Sequence, residues 1–290
     1  MKQVGLVVLV LTLTGYAVNS APQAAINVTI ASRAVAPGEV LVLTIRTQAD
    51  TGAVTVTAFD REFPVFRERA GEWRSLVGLD LDVKPGPHIL TIAAGPAQRE
   101  RINQRILVTR KAFATRTLSV DPAFVEPPPE AVARIQADSA RLNRAYGVSA
   151  KERLWAGVFV RPVTAAANSA FGTRSVFNGQ SRNPHSGADF ASPAGTPVRA
   201  PNAGRVVVAG DLYFTGNTVL IDHGLGLFSL FAHLASIDVR EGDPVVTGQF
   251  VGNVGRTGRV TGPHLHWSVR LNDARVDPMS LLAALGRARQ

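Results

Sequence analysis

Short apolar runs of period two, each closed by a Pro-Gly, Gly or Asp-His-Gly turn, recur over most of this chain and most restrict what it can become. From Ile26 to about Thr109, "INVTI" alternates Ile26, Val28 and Ile30, and "PGEVLVLTI" turns at Pro37-Gly38 before its run. "AVTVTAF", "EFPVF", "HILTI" behind another Pro-Gly turn, and "RILV" at Arg105 to Val108 follow. Strands at this spacing predict an antiparallel β-sandwich of immunoglobulin size. His88 falls in one of them with no partner nearby in sequence, and reads as structural.

The pattern changes at "FVEPPPE", Phe124 to Glu130, where three prolines fix φ and remove backbone donors, so the segment reads as a stiff linker. Val132, Ile135, Ser139, Leu142 and Tyr146 then recur at spacings of three and four, which predicts a helix stopped by Gly147 with one face apolar enough to dock on a neighbour. From Trp155 onward the alternation returns, and helical periodicity reappears only at "PMSLLAAL". The expected fold is mainly β: an N-terminal immunoglobulin-like β-sandwich, a short linker helix, and a C-terminal antiparallel-β domain. The expected boundaries are residues 1–20 as a signal peptide, 21–110 as the sandwich, 111–154 as linker and helix, and 155–290 as the second domain.

The signal peptide is read from Lys2, the apolar run Val4 to Val18, and the small residues Ser20 and Ala21. The run is short for a membrane span, so no span is expected after cleavage. An uncleaved anchor is the alternative. Cysteine is absent, which rules out a lipobox, thiolate catalysis and cysteine-ligated zinc, and leaves packing to supply stability without disulfides. The net charge of +9 is almost all arginine, with lysine only at positions 2, 84, 111 and 151. Such a chain is attracted to anionic polymers, a cell wall with free carboxylates among them. The arginines are scattered without the basic-aromatic interleaving of a single-strand binder, so no nucleic-acid partner is expected.

Five of the six histidines lie in the second domain, within or near "NPHSGADFASP", "FSLFAHL" and "GPHLHW". Pro184 and Gly187 oppose a helical pairing of His185 with Asp189. In an extended segment, residues 185, 187 and 189 point to one side, and the same alternation puts His264 and His266 on one face. His233 ends a third apolar strand. Four imidazoles and a carboxylate on a sheet surface make a candidate zinc site. A catalytic zinc keeps three protein ligands, so two of the five must act otherwise; spacing leaves open which two. Solvated histidine pairs on strands are common, and it is the combination in one domain that favours the metal. His223 stands apart: "DHG" is a turn, where Asp and Gly have local backbone reasons to occur, and it reads as a structural hydrogen-bonding residue.

With these motifs the chain resembles the lysostaphin-like, LytM-type zinc metallopeptidases of bacterial cell walls. The match runs from roughly Phe171 to Pro278 and includes "HSGADFASPAGTPVRAPNAGRV", "GNTVLIDHGLGLFSLFAHL" and "VGNVGRTGRVTGPHLHW". The front sandwich is similar to the accessory domain of some exported members. The resemblance implies Zn²⁺ held by His185, Asp189 and His266, with His233 and His264 as the unligated catalytic pair. It also implies a substrate, peptidoglycan, cut in its stem or cross-link peptides by a zinc-activated water, in the periplasm or extracellular envelope. The groove is expected between glycine-rich loops at Gly172, Gly179, Gly216 and Gly258, with Asn178 and Tyr213 as candidate lining or as ordinary loop residues. The alternative is a non-catalytic wall-binding regulator or activator of another hydrolase; whether a protein regulator exists is left open.

Overall fold

The computed structural model describes residues 26–48, 52–95, 100–118, 125–169 and 171–286. The expected signal peptide therefore lies outside the described residues. The first part of the chain forms two four-stranded sheets. One pairs β1 (Asn27–Ala31), β2 (Val40–Arg46), β6 (Glu72–Gly78) and β5 (Val65–Arg69) in that order. The other pairs β4 (Arg61–Phe63), β3 (Val54–Ala58), β7 (Gly86–Ala94) and β8 (Glu100–Val108). The first order is the A-B-E-D arrangement of an immunoglobulin-type sandwich, and the second adds an edge strand to its C-F-G sheet. Pro37 and Gly38, the latter at φ 84°, turn the chain into β2, with Glu39 N–H donating to the Ala36 carbonyl at 3.1 Å.

Strand β2 is buried on both faces, which explains its unbroken "VLVLTI". Leu41, Leu43 and Ile45 enter the core between the two sheets, with Val56, Leu90 and Ile92. Val40 and Val42 face the other way, into a core shared with Trp155, Phe159 and Trp267 of the second part. Leu76 of β6 joins them there. At Gly78 a methyl group would lie 2.9 Å from Ala274 Cβ, so its absence lets the later chain approach this sheet. Polar contacts complete the junction: Val40 N–H to Ser280 Oγ at 2.9 Å, Asp277 N–H to the Gly38 carbonyl at 2.8 Å, and Arg275 to both Asp80 and Asp82.

Two features of this part depart from the sequence pattern. "EWRSLVG" is a central strand, β6, that alternation does not reveal, because its two faces meet different cores and neither is left polar. "EFPVF" is not one strand: the chain changes sheets at Pro64, between β4 and β5.

The linker also holds a strand. β9 (Thr115–Leu118) pairs in parallel with β11 (Arg174–Phe177), which pairs with β12 (Gln180–Ser181) through an Asn178-Gly179 turn, both residues at positive φ. Helix α1 (Pro129–Tyr146) starts on the proline run itself: Pro129 sits in the first turn, where its missing N–H costs nothing. Gly147 ends the helix. Leu142, Ala145 and Tyr146 pack on Val208, Leu220 and Phe228, whereas Val132 is exposed, so the docking face is narrower than the periodicity predicts. Among the described residues no helix is long and apolar enough to cross a membrane.

The remaining strands form a ten-stranded sheet. Its main path is β10 (Ala167–Ser169), β13 (Gly187–Phe190), β20 (Leu265–Leu271), β17 (Leu227–Ile237), β16 (Gly216–Asp222), β15 (Gly204–Leu212) and β18 (Pro244–Val245). β19 (Phe250–Val254) pairs with β17 and with β14 (Pro197–Arg199), and β21 (Ala274–Val276) pairs with β20. All these pairings are antiparallel. Helix α2 (Pro278–Leu285), capped by the Asp277 side chain on Met279 N–H, closes the core from below with the fully buried Leu281.

Candidate active site

Strand register builds the centre of the site. β13 and β20 place Asp189 directly opposite His266, and β20 and β17 place His266 opposite Ala232. Cross-strand partners share a face, so the carboxylate and the imidazole meet: His266 Nδ1 lies 2.8 Å from Asp189 Oδ1. His185 precedes β13 and is held by two backbone hydrogen bonds, its N–H to the Thr173 carbonyl at 2.9 Å and its own carbonyl to Gly172 N–H at 2.7 Å. Its Nε2 lies 3.0 Å from Asp189 Oδ1 and 3.0 Å from His266 Nδ1. The expected alternation through residues 185, 187 and 189 thus brings both side chains to one point.

Gly187 makes this possible. A methyl group there would lie 2.7 Å from His266 Cε1, 2.8 Å from its Nε2 and 2.5 Å from the Trp267 carbonyl. The ring of His266 rests over this glycine. Gly187→Ala should therefore push β13 off β20 at the Trp267 carbonyl and displace the His266 ring from Asp189, lowering the melting midpoint and weakening metal binding at least about tenfold, as changes beside a ligand commonly do. Metal titration of the purified variant checks this, and an unchanged affinity would show that the ring has room elsewhere.

His233 enters by a bulge. Between the β16–β17 pairs Val219–Phe231 and Asn217–Leu234 the register shifts, and His233 takes φ 65°, a left-handed conformation that an imidazole side chain adopts at some cost. Its N–H donates to the Thr215 carbonyl and its Nδ1–H to the Thr257 carbonyl, each near 2.9 Å. His264 lies just before β20, bridged to Gly255, and its Nδ1–H donates to the Gly262 carbonyl at 2.9 Å. A carbonyl can only accept, so the neutral form of each ring carries its proton on Nδ1 and has its lone pair on Nε2. The two rings are 5.0 Å apart, and His264 Nε2 is 3.8 Å from Asp189 Oδ1.

Charge follows from burial and these contacts. Burial raises the pKa of Asp189, but hydrogen bonds from His185 and His266 more than offset it and hold the carboxyl well below the usual range. Burial pushes His233 down to about 3, helped by the nearby His266, and lowers His266 as well. Burial thus favours the neutral ring at His233 and His266, beside the Asp189 carboxylate.

The donor set suits a divalent cation. His185 Nε2, Asp189 Oδ1 and His266 Nδ1 form a nearly equilateral triangle with edges of 2.8 to 3.0 Å, all aimed inward. Tetrahedral zinc with bonds of about 2.0–2.1 Å separates its ligands by roughly 3.3 Å, a widening that small side-chain rotations supply. His233 and His264 stand beside the triangle, outside it.

All five residues line a groove of about 600 Å³. Phe177, Phe214 and Thr215 also line it, with the arginines Arg116, Arg182 and Arg259. Asn178 and Tyr213 do not: Asn178 makes the β11–β12 turn, and Tyr213 lies by α1, its N–H on Asp138 at 2.8 Å and its ring near Arg134. Of the loops expected as walls, those at Gly216 and Gly258 pack on each other, which only side chains this small allow. Sequence reasoning missed the role of Gly187 beneath the His266 ring, the bulge at His233 and the strand β9 that carries Arg116 to the rim. "RNPHSG" and "GRTGR" flank the histidine motifs and are the signals that could have found two of the arginines.

His223 is elsewhere, fully buried, its Nδ1–H on the Ala203 carbonyl at 2.7 Å and its Nε2 accepting from Ser229 Oγ at 3.0 Å. Asp222 caps the turn by accepting from Gly224 N–H. Burial lowers His223 from 6.5 to about 4, so the folded state holds the neutral ring while the unfolded chain protonates sooner. The stability this supplies is complete above pH 6.5 and is lost as pH falls to 4, a cost of about 3 kcal/mol. Denaturant unfolding from pH 7 to 4 should show that slope in the native chain and a flatter one in His223→Asn.

Comparison with known proteins places these motifs. The sequence model described as Peptidase family M23 matches residues 183–278. The DD-carboxypeptidase/endopeptidase Mpg of Neisseria meningitidis serogroup B is 45% identical over 97 residues, 33% of this chain and 22% of that protein. The peptidoglycan DD-endopeptidase ShyA of Vibrio cholerae is 44% identical over 96 residues, again 33% of this chain and 22% of that protein. The match spans only about a fifth of these relatives. A solved structure from Pseudomonas aeruginosa assigned to peptidase M23 aligns with a TM-score of 0.68 at 36% identity, over 87% of this chain and 96% of that one.

Proposed function

We propose, from the premise that this chain belongs to peptidase family M23, that it is an exported zinc endopeptidase hydrolysing peptide bonds in the stem or cross-link peptides of peptidoglycan. The observation that carries this is the inward triangle of His185, Asp189 and His266 with two further imidazole lone pairs beside it. The names of the similar Neisseria and Vibrio proteins, both endopeptidases, support the substrate.

His185, Asp189 and His266 would hold the zinc. Bound there, the cation supplies Lewis acidity and brings the pKa of a water close to neutrality. The rest is done by side chains of this chain. With Nδ1–H committed to the Gly262 and Thr257 carbonyls, His264 and His233 turn Nε2 toward the groove, where a lone pair takes the proton of the attacking water. Once protonated, the same nitrogen donates to the developing oxyanion or to the leaving amine. Family M23 chemistry here has no HExxH glutamate to call on, so the base is an imidazole. Phe177 and Phe214 offer apolar walls, and the shared core behind β2 keeps the sheet under the site rigid.

The chain divides, in this reading, into a sandwich at 21–110, a linker with helix at 111–154 and a catalytic part at 155–290, behind a leader cleaved near residue 20. Export to the periplasm or outer envelope puts the enzyme where its substrate is. Purified wall peptidoglycan should release peptide fragments on incubation with the protein alone, detected by mass spectrometry. A chelator should stop release and added zinc restore it. Fragmentation that requires a second hydrolase would leave this chain as a regulator instead.

A further inference from the structure

A second cavity, of about 240 Å³, lies between α1 and the large sheet. It shares Thr215 and His266 with the groove, so the two spaces meet beside the metal ligands. Strand register explains why. His266, Ser268 and Arg270 alternate onto one face of β20, and their partners on β17 are Ala232, Leu230 and Phe228. Leu142, Ala145 and Tyr146 of α1 belong to one apolar cluster with those three β17 residues. The linker helix and the metal ligand therefore stand on the same surface, and the cavity is the gap between them.

This gap has a built wall. Arg134 of α1 pairs with Asp211 at 2.6 Å, Arg141 pairs with Glu241, and Asp138 accepts from Tyr213 N–H at 2.8 Å. At the other end of the helix, Arg270 lies 4.1 Å over the Tyr146 ring. Between these anchors the polar lining is small and neutral: Ser139 and Asn143, one helical turn apart on α1, and Ser186 and Ser268 on the side of the sheet. Ser268 is only 9% exposed, and among the described residues its hydroxyl has no hydrogen-bond partner. A polar group so nearly buried calls for one. Hydroxyl and carboxamide groups both donate and accept, which matches the alternating N–H and C=O of an extended peptide. Leu142 and Leu230 add apolar contact. The space is smaller than a typical small-molecule pocket of roughly 300–1,000 Å³, so it fits small residues and excludes bulky ones.

We propose that the cleft between α1 and β20 is a second arm of the substrate track, holding a small-residue stretch of the peptide next to the scissile bond through its backbone amides, with Ser268, Asn143 and Ser139 as specificity-determining residues. The proposal rests on the peptidase reading above. The occupant follows from continuity: a chain lying in the groove across His266 runs directly into this cleft. Helix α1 ends at Tyr146, ahead of the matched residues 183–278, so the wall comes from outside the segment that carries the family motifs.

The test uses one synthetic cross-linked peptide and two shortened forms, one cut back on the amino side of the scissile bond and one on the carboxyl side. On the full-length peptide, Ser268→Ala should raise KM about threefold to tenfold. Asn143→Trp, placed on the exposed rim to fill the cleft, should raise it at least about tenfold. In both, kcat should stay within about twofold and zinc content should not change, because these contacts hold substrate and transition state equally. One of the shortened forms should bind wild type and both variants alike, since it lacks the arm that the cleft takes. Binding is read as inhibition of full-length cleavage, so a shortened peptide reports even where it is not cut. Melting midpoints identify a variant that fails to fold, and Ser139→Trp on the same rim then replaces it. An unchanged KM would leave the cleft to water and overturn the subsite alone, as would an equal loss on all three peptides. A wild-type chain that cuts none of the peptides overturns the peptidase reading and the subsite with it.

Discussion

His266→Ala is expected to lose its zinc and, with it, all measurable hydrolysis. His266 Nδ1 is one corner of the donor triangle, 2.8 Å from Asp189 Oδ1 and 3.0 Å from His185 Nε2, and an alanine leaves two donors where three converge. Loss of a group that merely supports a ligand commonly costs about 10–100-fold in metal affinity, so loss of a ligand should cost more than about 100-fold. His185→Ala and Asp189→Ala should behave alike, Asp189→Ala also removing the one anion that balances the cation. The measurement is zinc per chain after dialysis, together with the melting midpoint with and without chelator. The wild-type midpoint should fall on chelation, because a ligand bound only to the native state stabilises it, and the variants should not respond. A His266→Ala chain that keeps its metal while His264→Ala releases it would reverse the assignment of roles.

The second large effect is the opposite dissociation. His233→Asn and His264→Gln should keep near-stoichiometric zinc and lose about 10²–10⁴-fold in kcat, the usual range for removing a positioned acid or base. Asparagine suits position 233 because it tolerates the left-handed conformation at φ 65°, so the bulge that aims the side chain survives. Both variants stand outside the donor triangle, which is why metal content and turnover should separate. If either variant lost zinc as readily as His266→Ala, the pair would be holding the metal and not serving the substrate.

Much of this architecture is legible in the chain, and the failures have physical causes. Strands with one polar face announced themselves, as "INVTI" and "AVTVTAF" did, since alternation records the boundary between core and water. β6 did not, because the sandwich core covers Trp73, Ser75 and Val77 on one side while Leu76 meets the second core on the other. Pro64 split an apparent strand because a change of sheet needs a break in pairing, and β9 hid in the linker because a parallel edge strand pairs with a segment nearly sixty positions away. The prolines that read as a stiff linker also began α1, the one place in a helix where they cost little.

The four histidines and the aspartate of the groove were nameable from residue type and order, for imidazole and carboxylate are scarce on strands and have few reasons to cluster there. What they do together depended on three dimensions. Side-chain alternation says which face a residue takes, but only the pairing of β13 with β20 sets Asp189 against His266, and only the bulge in β17 turns His233 inward. The bareness of Gly187 beneath an imidazole, and the gathering of Arg116, Arg182 and Arg259 from three distant segments, leave no periodic trace at all. Local chemistry along the chain chose the donors; long-range pairing, driven by the burial of both sheet faces, chose their geometry.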